Sequence, residues 1–190
     1  FLFSATVCTV ALFFGSNAYS QSPTPNIATS AVCTHMGPSG VGVYGPDNYN
    51  DGFIAAPGSL PWGWTSLNSN SGTSRWIQFE WTTPQTFGEF TFYYAELNNR
   101  YMRGASIHYW DNATSSWVNH YTWLNPAPYT NWIVVVAFPP ATSNRVRITS
   151  VQMAPVGQTS NPNFREIEIR NICTDPPTKV AFSAPPITVL

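Results

Sequence analysis

The sequence predicts an all-β fold, an antiparallel β-sandwich, on three observations. Aromatic residues make up 15% of the 190 residues and charged residues only 9%, whereas ordinary globular chains are about 25% charged. The 12 Gly and 17 Pro are typical of a chain with many turns. Apolar and polar side chains alternate over many short runs, which is the pattern of strands with one buried face. The length fits a single domain, since domains commonly run about 100–200 residues.

The predicted strands follow one another from residue 76 onwards. The clearest run is Trp76–Trp81, in which Ile77, Phe79 and Trp81 share one face. The run Trp132–Phe138 is nearly all apolar, so we expect it to be covered on both sides. The other alternating runs are 89–94, 105–110, 117–123, 145–149 and 166–170. No window of useful length shows the period of an amphipathic helix.

Several classes of function are excluded. The net charge of −1 leaves no basic face of the size that nucleic acid requires, and no apolar run reaches the ~18 residues of a membrane-spanning helix. No nucleophile elbow or phosphate-binding loop is present. Glu166 and Glu168 share one strand face, a spacing open to glycosidase chemistry, but we expect a solvated ionic patch there. The sequence therefore predicts a protein that is not an enzyme.

The first 20 residues are an apolar segment with two interpretations. Phe1–Phe14 is almost wholly apolar, and Ala18-Tyr19-Ser20 resembles a signal-peptidase site, which predicts a secreted, extracellular or cell-surface protein. The segment is either the remnant of a secretory signal or a retained arm that docks on a neighbouring copy, because apolar surface left in water is costly. The residues expected to mediate such assembly are Phe1, Phe3, Val7, Val10, Leu12 and Phe13.

The rest of the chain divides into three parts. Residues 21–32 are a Ser-, Thr- and Pro-containing linker that leads into the first strand, and residues 33–173 form the sandwich. Residues 174–190 contain two Pro-Pro pairs, which favour an extended tail. Asn112 lies in an Asn-X-Thr sequon between two predicted strands and is a candidate glycosylation site.

The order of several motifs carries a resemblance to a known family. Asn50-Asp51-Gly52 is followed by Trp64-Thr65-Ser66 and by Trp76-Ile77-Gln78-Phe79. The later motifs are Ile107–Asp111 before Trp117, Arg145–Ile148, and Arg165–Ile169. Over about residues 26–173 the chain resembles the discoidin family, which comprises the C-type domains of coagulation factors V and VIII and the family-32 carbohydrate-binding modules. The resemblance implies a jelly-roll sandwich that binds ligands on loops at one end.

The resemblance also implies a structural Ca²⁺ and a disulfide. Asp51 and Glu166 would supply two carboxylates to Ca²⁺, and loop carbonyls would supply the remaining oxygens. The alternatives are that Asp51 only caps its turn and that Glu166 pairs with an arginine such as Arg147. Cys33 and Cys173 bracket the strand-rich region and match the disulfide that joins the ends in many members. Cys8 would then be unpaired, buried or used between chains.

Sugar binding would use aromatic faces together with polar groups that recognise hydroxyls. The candidate ligand-binding residues are Tyr49, Trp62, Asn99, Arg100, Tyr101 and Asn163. Trp62 could instead pack over the end of the sandwich as part of the core.

Two functions remain after these exclusions. The first is an extracellular structural subunit that polymerises into filaments through its apolar N-terminal arm, with other copies of itself as partners. The alternative is a secreted carbohydrate-binding module that attaches a larger protein to glycans through loops at one end of the sandwich.

Overall fold

A computed structural model describes residues 24–37, 45–64, 73–95, 102–124, 132–153 and 161–172. Within these ranges the chain forms antiparallel strands and short 3₁₀ turns. The turns are Ala28–Ser30 and Pro46–Tyr49. The strands are β1 (Val32–His35), β2 (Gly63–Trp64), β3 (Ile77–Tyr94), β4 (Met102–Asp111), β5 (Ser116–Leu124), β6 (Ile133–Met153) and β7 (Asn163–Arg170).

Two long strands, β3 and β6, contribute to both layers of the sandwich. The first residues of β3 (77–80) pair with β1 and with residues 145–148 of β6, and β4 and β5 follow on the far side of β6. The later residues of β3 (89–94) lie between β7 and residues 133–137 of β6, and β2 pairs with β7. The predicted all-β antiparallel sandwich is confirmed.

The core lies between the two layers and is built largely from aromatic rings. Phe79 and Phe90, from the two halves of β3, have ring centroids 6.4 Å apart. Phe92 of β3 contacts Trp123 of β5 at 6.2 Å and Phe164 of β7 at 5.8 Å. Ring pairs at these separations stabilise a core beyond the area that they bury. The predicted inward face of the first β3 segment is confirmed, since Ile77, Phe79 and Trp81 are buried.

The prediction that Trp132–Phe138 is covered on both sides is wrong. Val134 and Val136 are buried, but Ile133 is 48% exposed and Val135 is 58% exposed. This half of β6 pairs with β3 alone, and no described element covers its outer face. The strand therefore buries one face only, although nearly all of its side chains are apolar.

The expected solvated patch on β7 is also wrong. Glu166 is fully buried and Glu168 is 9% exposed. β7 lies between β2 and β3, and residues 24–28 pass beside it, with the Ile27 amide donating to the Ile169 carbonyl at 2.9 Å. Strand β7 is consequently buried on both faces.

Several predictions fall on residues outside the described ranges. These are the apolar N-terminal segment with Phe1, Phe3, Val7, Val10, Leu12 and Phe13, the residues Asn99, Arg100, Tyr101 and Cys173, and the tail 174–190. Among the residues that are described, no helix is long and apolar enough to cross a membrane.

Candidate functional site

A carboxylate pair, exposed Asp51 and buried Glu166, lies where the Asn50-Asp51-Gly52 turn meets β7. Asn50 Nδ2 donates to the carbonyls of Ala28 at 2.7 Å and Ala31 at 3.0 Å, which fixes the turn against the first 3₁₀ turn. Asp51 Oδ1 accepts from the Phe53 amide at 2.8 Å. Glu166 projects from β7 close enough to Asp51 for the two charges to interact. The structure therefore brings together the two residues predicted to hold a metal.

The environment of Glu166 disfavours its ionised form. Burial, together with the negative charge of Asp51, raises the pKa of Glu166 to about 8. Asn26 Nδ2 donates to Glu166 Oε1 at a long 3.5 Å, and Glu166 Oε2 is buried without a hydrogen-bond partner. An ionised Glu166 would be costly here without a cation, so Glu166 holds a proton near neutral pH, and a bound cation would have to displace that proton.

The oxygen atoms of Asp51 and Glu166 supply only part of the ligand set that a hard cation needs. Carboxylate oxygens suit Ca²⁺, which takes six to eight oxygen ligands, and the orphaned Glu166 Oε2 is the kind of atom that such an ion satisfies. No group of three or more His, Cys, Asp or Glu side chains clusters within the described ranges. Backbone carbonyls would have to complete the shell. The expected pairing of Glu166 with Arg147 is wrong, because Arg147 contacts other groups, described below.

The segment 45–64 connects this carboxylate pair to β2. Gly52 has φ +81°, a left-handed conformation that glycine adopts without steric cost. A Cβ on Gly63 would lie 2.4 Å from the Tyr49 ring, so β2 and the second 3₁₀ turn approach closely. Between Gly52 and Gly63, Phe53 is 56% exposed. No role was predicted for Phe53 from the sequence, because the Asn50-Asp51-Gly52 turn indicates a carboxylate ligand and carries no information about the aromatic residue that follows.

The candidate ligand-binding residues have different positions. Tyr49 is fully buried and its ring packs edge-on against Phe164 at 5.8 Å, so its predicted role in sugar binding is wrong. Asn163 is fully buried at the start of β7, and its carbonyl accepts from the Ala95 amide at 3.0 Å, so it does not face a ligand. Trp62 is half-buried, next to the short strand β2.

The other predicted sites are partly described. Cys33 is a half-buried thiol whose pKa is raised to about 12 by burial and by the charges of Asp47 and Glu166. Its pairing with Cys173 stays a prediction. Asn112 is exposed in the turn between β4 and β5, and the Thr114 hydroxyl of its sequon donates to Asp111 Oδ2 at 2.8 Å. The site is accessible, and glycosylation stays a prediction.

Solved structures share this fold at low sequence identity. A chitosan-binding module from a chitosanase/glucanase of Paenibacillus sp. IK-5 is 17% identical with a TM-score of 0.55, covering 77% of this chain and 99% of that module. The lectin domain of lectinolysin, complexed with Lewis B antigen, is 14% identical with a TM-score of 0.58, covering 80% of this chain and 99% of that domain. A fucose-binding module of Streptococcus pneumoniae is 15% identical with a TM-score of 0.57, covering 78% and 96%.

These likenesses establish the fold. No family model matches the sequence, and no curated protein matches it. The jelly-roll sandwich that the resemblance implied is confirmed as a fold, because these modules share it. The three structures described above are two binding modules and a lectin domain, and the absence of enzymatic activity stays a prediction for this chain.

Proposed function

We propose that this chain is a non-catalytic carbohydrate-binding module that attaches a larger extracellular protein to glycans. The observation that carries the proposal is the shared sandwich, because the chitosan-binding module, the lectin domain and the fucose-binding module all cover most of this chain. Fold alone does not fix function. The local support is the segment 45–64, where Phe53 and Trp62 present aromatic surface beside a rigid base.

The carboxylate pair has a structural part in this proposal. Asp51 and Glu166 would hold a Ca²⁺ that displaces the Glu166 proton and fixes the base of the segment 45–64. Such an ion would supply charge compensation and rigidity, and it would take no part in any reaction. A rigid loop loses less conformational entropy when it binds a ligand, so the ion would strengthen glycan binding from beneath the contact surface.

Titration calorimetry with chitotriose, Lewis b tetrasaccharide and fucose tests the proposal. We expect at least one of them to bind, and Trp62→Ala to weaken that binding about tenfold or more, as truncation of a central tryptophan commonly does. The matched control is Leu124→Ala, which truncates an apolar side chain that is 52% exposed on β5. Absence of binding to all three sugars and to a broader glycan array would contradict the proposal.

The filament interpretation is the second candidate, and it has less support. Its residues lie in the segment 1–14, outside the described residues, and the three structures described above are carbohydrate-binding modules or a lectin domain. Deleting residues 1–14 and measuring the sedimentation of both proteins decides it. Polymers that disappear on deletion support assembly, whereas a monomer in both cases removes this candidate.

A further inference from the structure

The outer face of the layer formed by β1, β3, β6, β4 and β5 carries an aromatic and cationic surface. We define the Trp–Arg face as Trp76, Trp110, Trp117, Arg145 and Arg147, all of which are partly exposed. The register places its members side by side, since Trp110 pairs with Trp117 across β4 and β5. Their rings meet edge-on with centroids 5.4 Å apart. This face lies on a sheet surface, whereas the proposed glycan segment 45–64 is a loop.

Arg147 of the Trp–Arg face contacts two indole rings. Its Cζ lies 4.1 Å from the centroid of Trp76 and 3.9 Å from that of Trp117. Nε donates to Gln78 Oε1 at 2.7 Å. Both distances are those of cation–π contacts, in which an arginine can stack on aromatic rings while its in-plane N–H groups still donate. With Nε bonded to Gln78, the two terminal nitrogens are the donors that remain for a ligand.

The positive charge of this face is only partly balanced. Arg145 stacks over Trp110 at 5.0 Å and pairs with Glu80 at 3.2 Å. No carboxylate in the described part of the chain lies within ion-pair distance of Arg147. Burial, and secondarily the charge of Arg145, lowers the pKa of Arg147, as expected for a cation without its own counter-ion.

A neighbouring histidine adds an unsatisfied polar atom. His108 pairs with Arg147 in the register of β4 and β6, and its Nε2 is buried without a hydrogen-bond partner. Burial and the charge of Arg147 lower its pKa, so the ring is held neutral and adds no charge. The surface thus presents two guanidinium groups and one carboxylate in a chain whose net charge is −1.

We propose that the Trp–Arg face is a second binding site, which takes an acidic oligosaccharide whose sugars carry carboxylate or sulfate groups. The anionic group would accept from the terminal nitrogens of Arg147 in a charge-assisted hydrogen bond. The partly exposed indole rings of Trp110 and Trp117 would pack against the apolar faces of the sugar rings. The guanidinium is already oriented by its two indoles and Gln78, so little side-chain entropy is lost on binding.

Calorimetric titration with tetragalacturonate, a sulfated dextran oligosaccharide and neutral cellotetraose tests this site. We expect an acidic sugar to bind, and its affinity to fall as salt rises from 50 to 300 mM, because the contact depends on charge. Binding by tetragalacturonate alone assigns a carboxylate ligand, and binding by the sulfated sugar alone assigns a sulfate ligand. Equal affinity for cellotetraose, or binding by none of the three, overturns the proposal.

Variants separate this site from the loop segment and from general charge effects. Arg147→Ala should weaken acidic-sugar binding about tenfold or more, and Arg147→Lys should restore only part of it because a lysine ammonium is not planar. The control Arg103→Ala removes the same charge five residues from His108 along β4, about 16 Å away, and should change affinity less than twofold. Trp62→Ala should leave acidic-sugar binding intact, so failure here is distinguishable from failure of the proposed loop site.

A resonance assay on the unmodified protein covers the case in which Arg147→Ala does not fold. The arginine Nε–Hε signals are recorded as tetragalacturonate or the sulfated sugar is added. We expect the signals of Arg145 and Arg147 to move and that of Arg103 to stay. Binding that moves neither Arg145 nor Arg147 places the acidic sugar elsewhere and overturns the proposal.

Discussion

Replacing Glu166 by Gln should make the metal-free protein more stable at alkaline pH. The wild-type side chain is buried beside Asp51, and its pKa is raised from 4.5 to about 8. Between these two values the folded state holds a proton that the unfolded state has released. The stabilisation from this proton is therefore complete below about pH 4.5 and is lost as the pH rises through about 8. Glutamine has no proton to release, so the variant avoids this loss.

The size of the effect follows from the width of this interval. A difference of one bound proton changes the unfolding free energy by about 1.4 kcal/mol per pH unit, so the interval from 4.5 to about 8 corresponds to at most about 5 kcal/mol. A domain of this size shifts its Tm by about 2–4 °C per kcal/mol. We expect Glu166→Gln to match the wild type near pH 5 and to melt at a higher temperature near pH 8.5 in EGTA, by at most about 10–20 °C.

Thermal and urea unfolding from pH 5 to 8.5, in EGTA and in Ca²⁺, measures the effect. At 100 times its Kd, Ca²⁺ should stabilise the wild type by about 2.7 kcal/mol, and it should do so more strongly as the pH rises, since the carboxylate must be ionised to bind. Glu89→Gln is the matched control on β3 and should retain the wild-type pH slope. Parallel pH curves for the wild type and Glu166→Gln would refute the reasoning about the buried charge. A Tm that Ca²⁺ leaves unchanged would refute the metal proposal alone.

Three further substitutions have defined outcomes. Tyr49→Phe should leave the unfolding free energy unchanged or raise it by up to ~1 kcal/mol in urea titrations, because the Tyr49 hydroxyl is buried without a hydrogen-bond partner. A loss of more than ~1 kcal/mol would show that this hydroxyl makes a hydrogen bond. Ser115→Gly should raise the melting temperature by a few degrees, since Ser115 has φ +50° in the β4–β5 turn, a conformation that costs a non-glycine residue about 1 kcal/mol; a lower Tm contradicts this. Val135→Lys should reduce light scattering on heating, because it places a charge on an exposed apolar strand. It should change the unfolding free energy by less than ~0.5 kcal/mol. Unchanged scattering would show that this strand does not drive aggregation.

Alternation in the sequence predicted strands where one face is buried. Ile77, Phe79 and Trp81 follow this rule, as do Val146 and Ile148, because each strand buries every second side chain against the other layer. The continuity of β3 and β6 was not predictable in the same way. Pro84, Pro139 and Pro140 cannot donate a ladder hydrogen bond, yet they lie where the β3–β6 register shifts, positions at which a missing backbone donor is tolerated.

The candidate site was predictable only where local sequence carries the chemistry. Asp51 and Glu166 are 115 residues apart in the chain, and the family resemblance, rather than any spacing, placed them together. Tyr49 sits in a turn-rich segment and would be exposed by local criteria. It is buried because Gly63 and Phe164 close over its ring, a tertiary contact that no short pattern encodes. The contacts of Arg147 within the Trp–Arg face join side chains from β5, β6 and the residue before β3. They could therefore be predicted only once the fold was known.

The sharing of β3 and β6 between both layers has a consequence for how the domain comes apart. In a sandwich made of separate sheets, one sheet can detach while the other persists. Here β3 and β6 make backbone hydrogen bonds in both layers. Separating the strands of one layer therefore disrupts the backbone pairing of the other. Opening of this domain is therefore expected to be all-or-none, and a force applied at either end of the sandwich would act on both layers together.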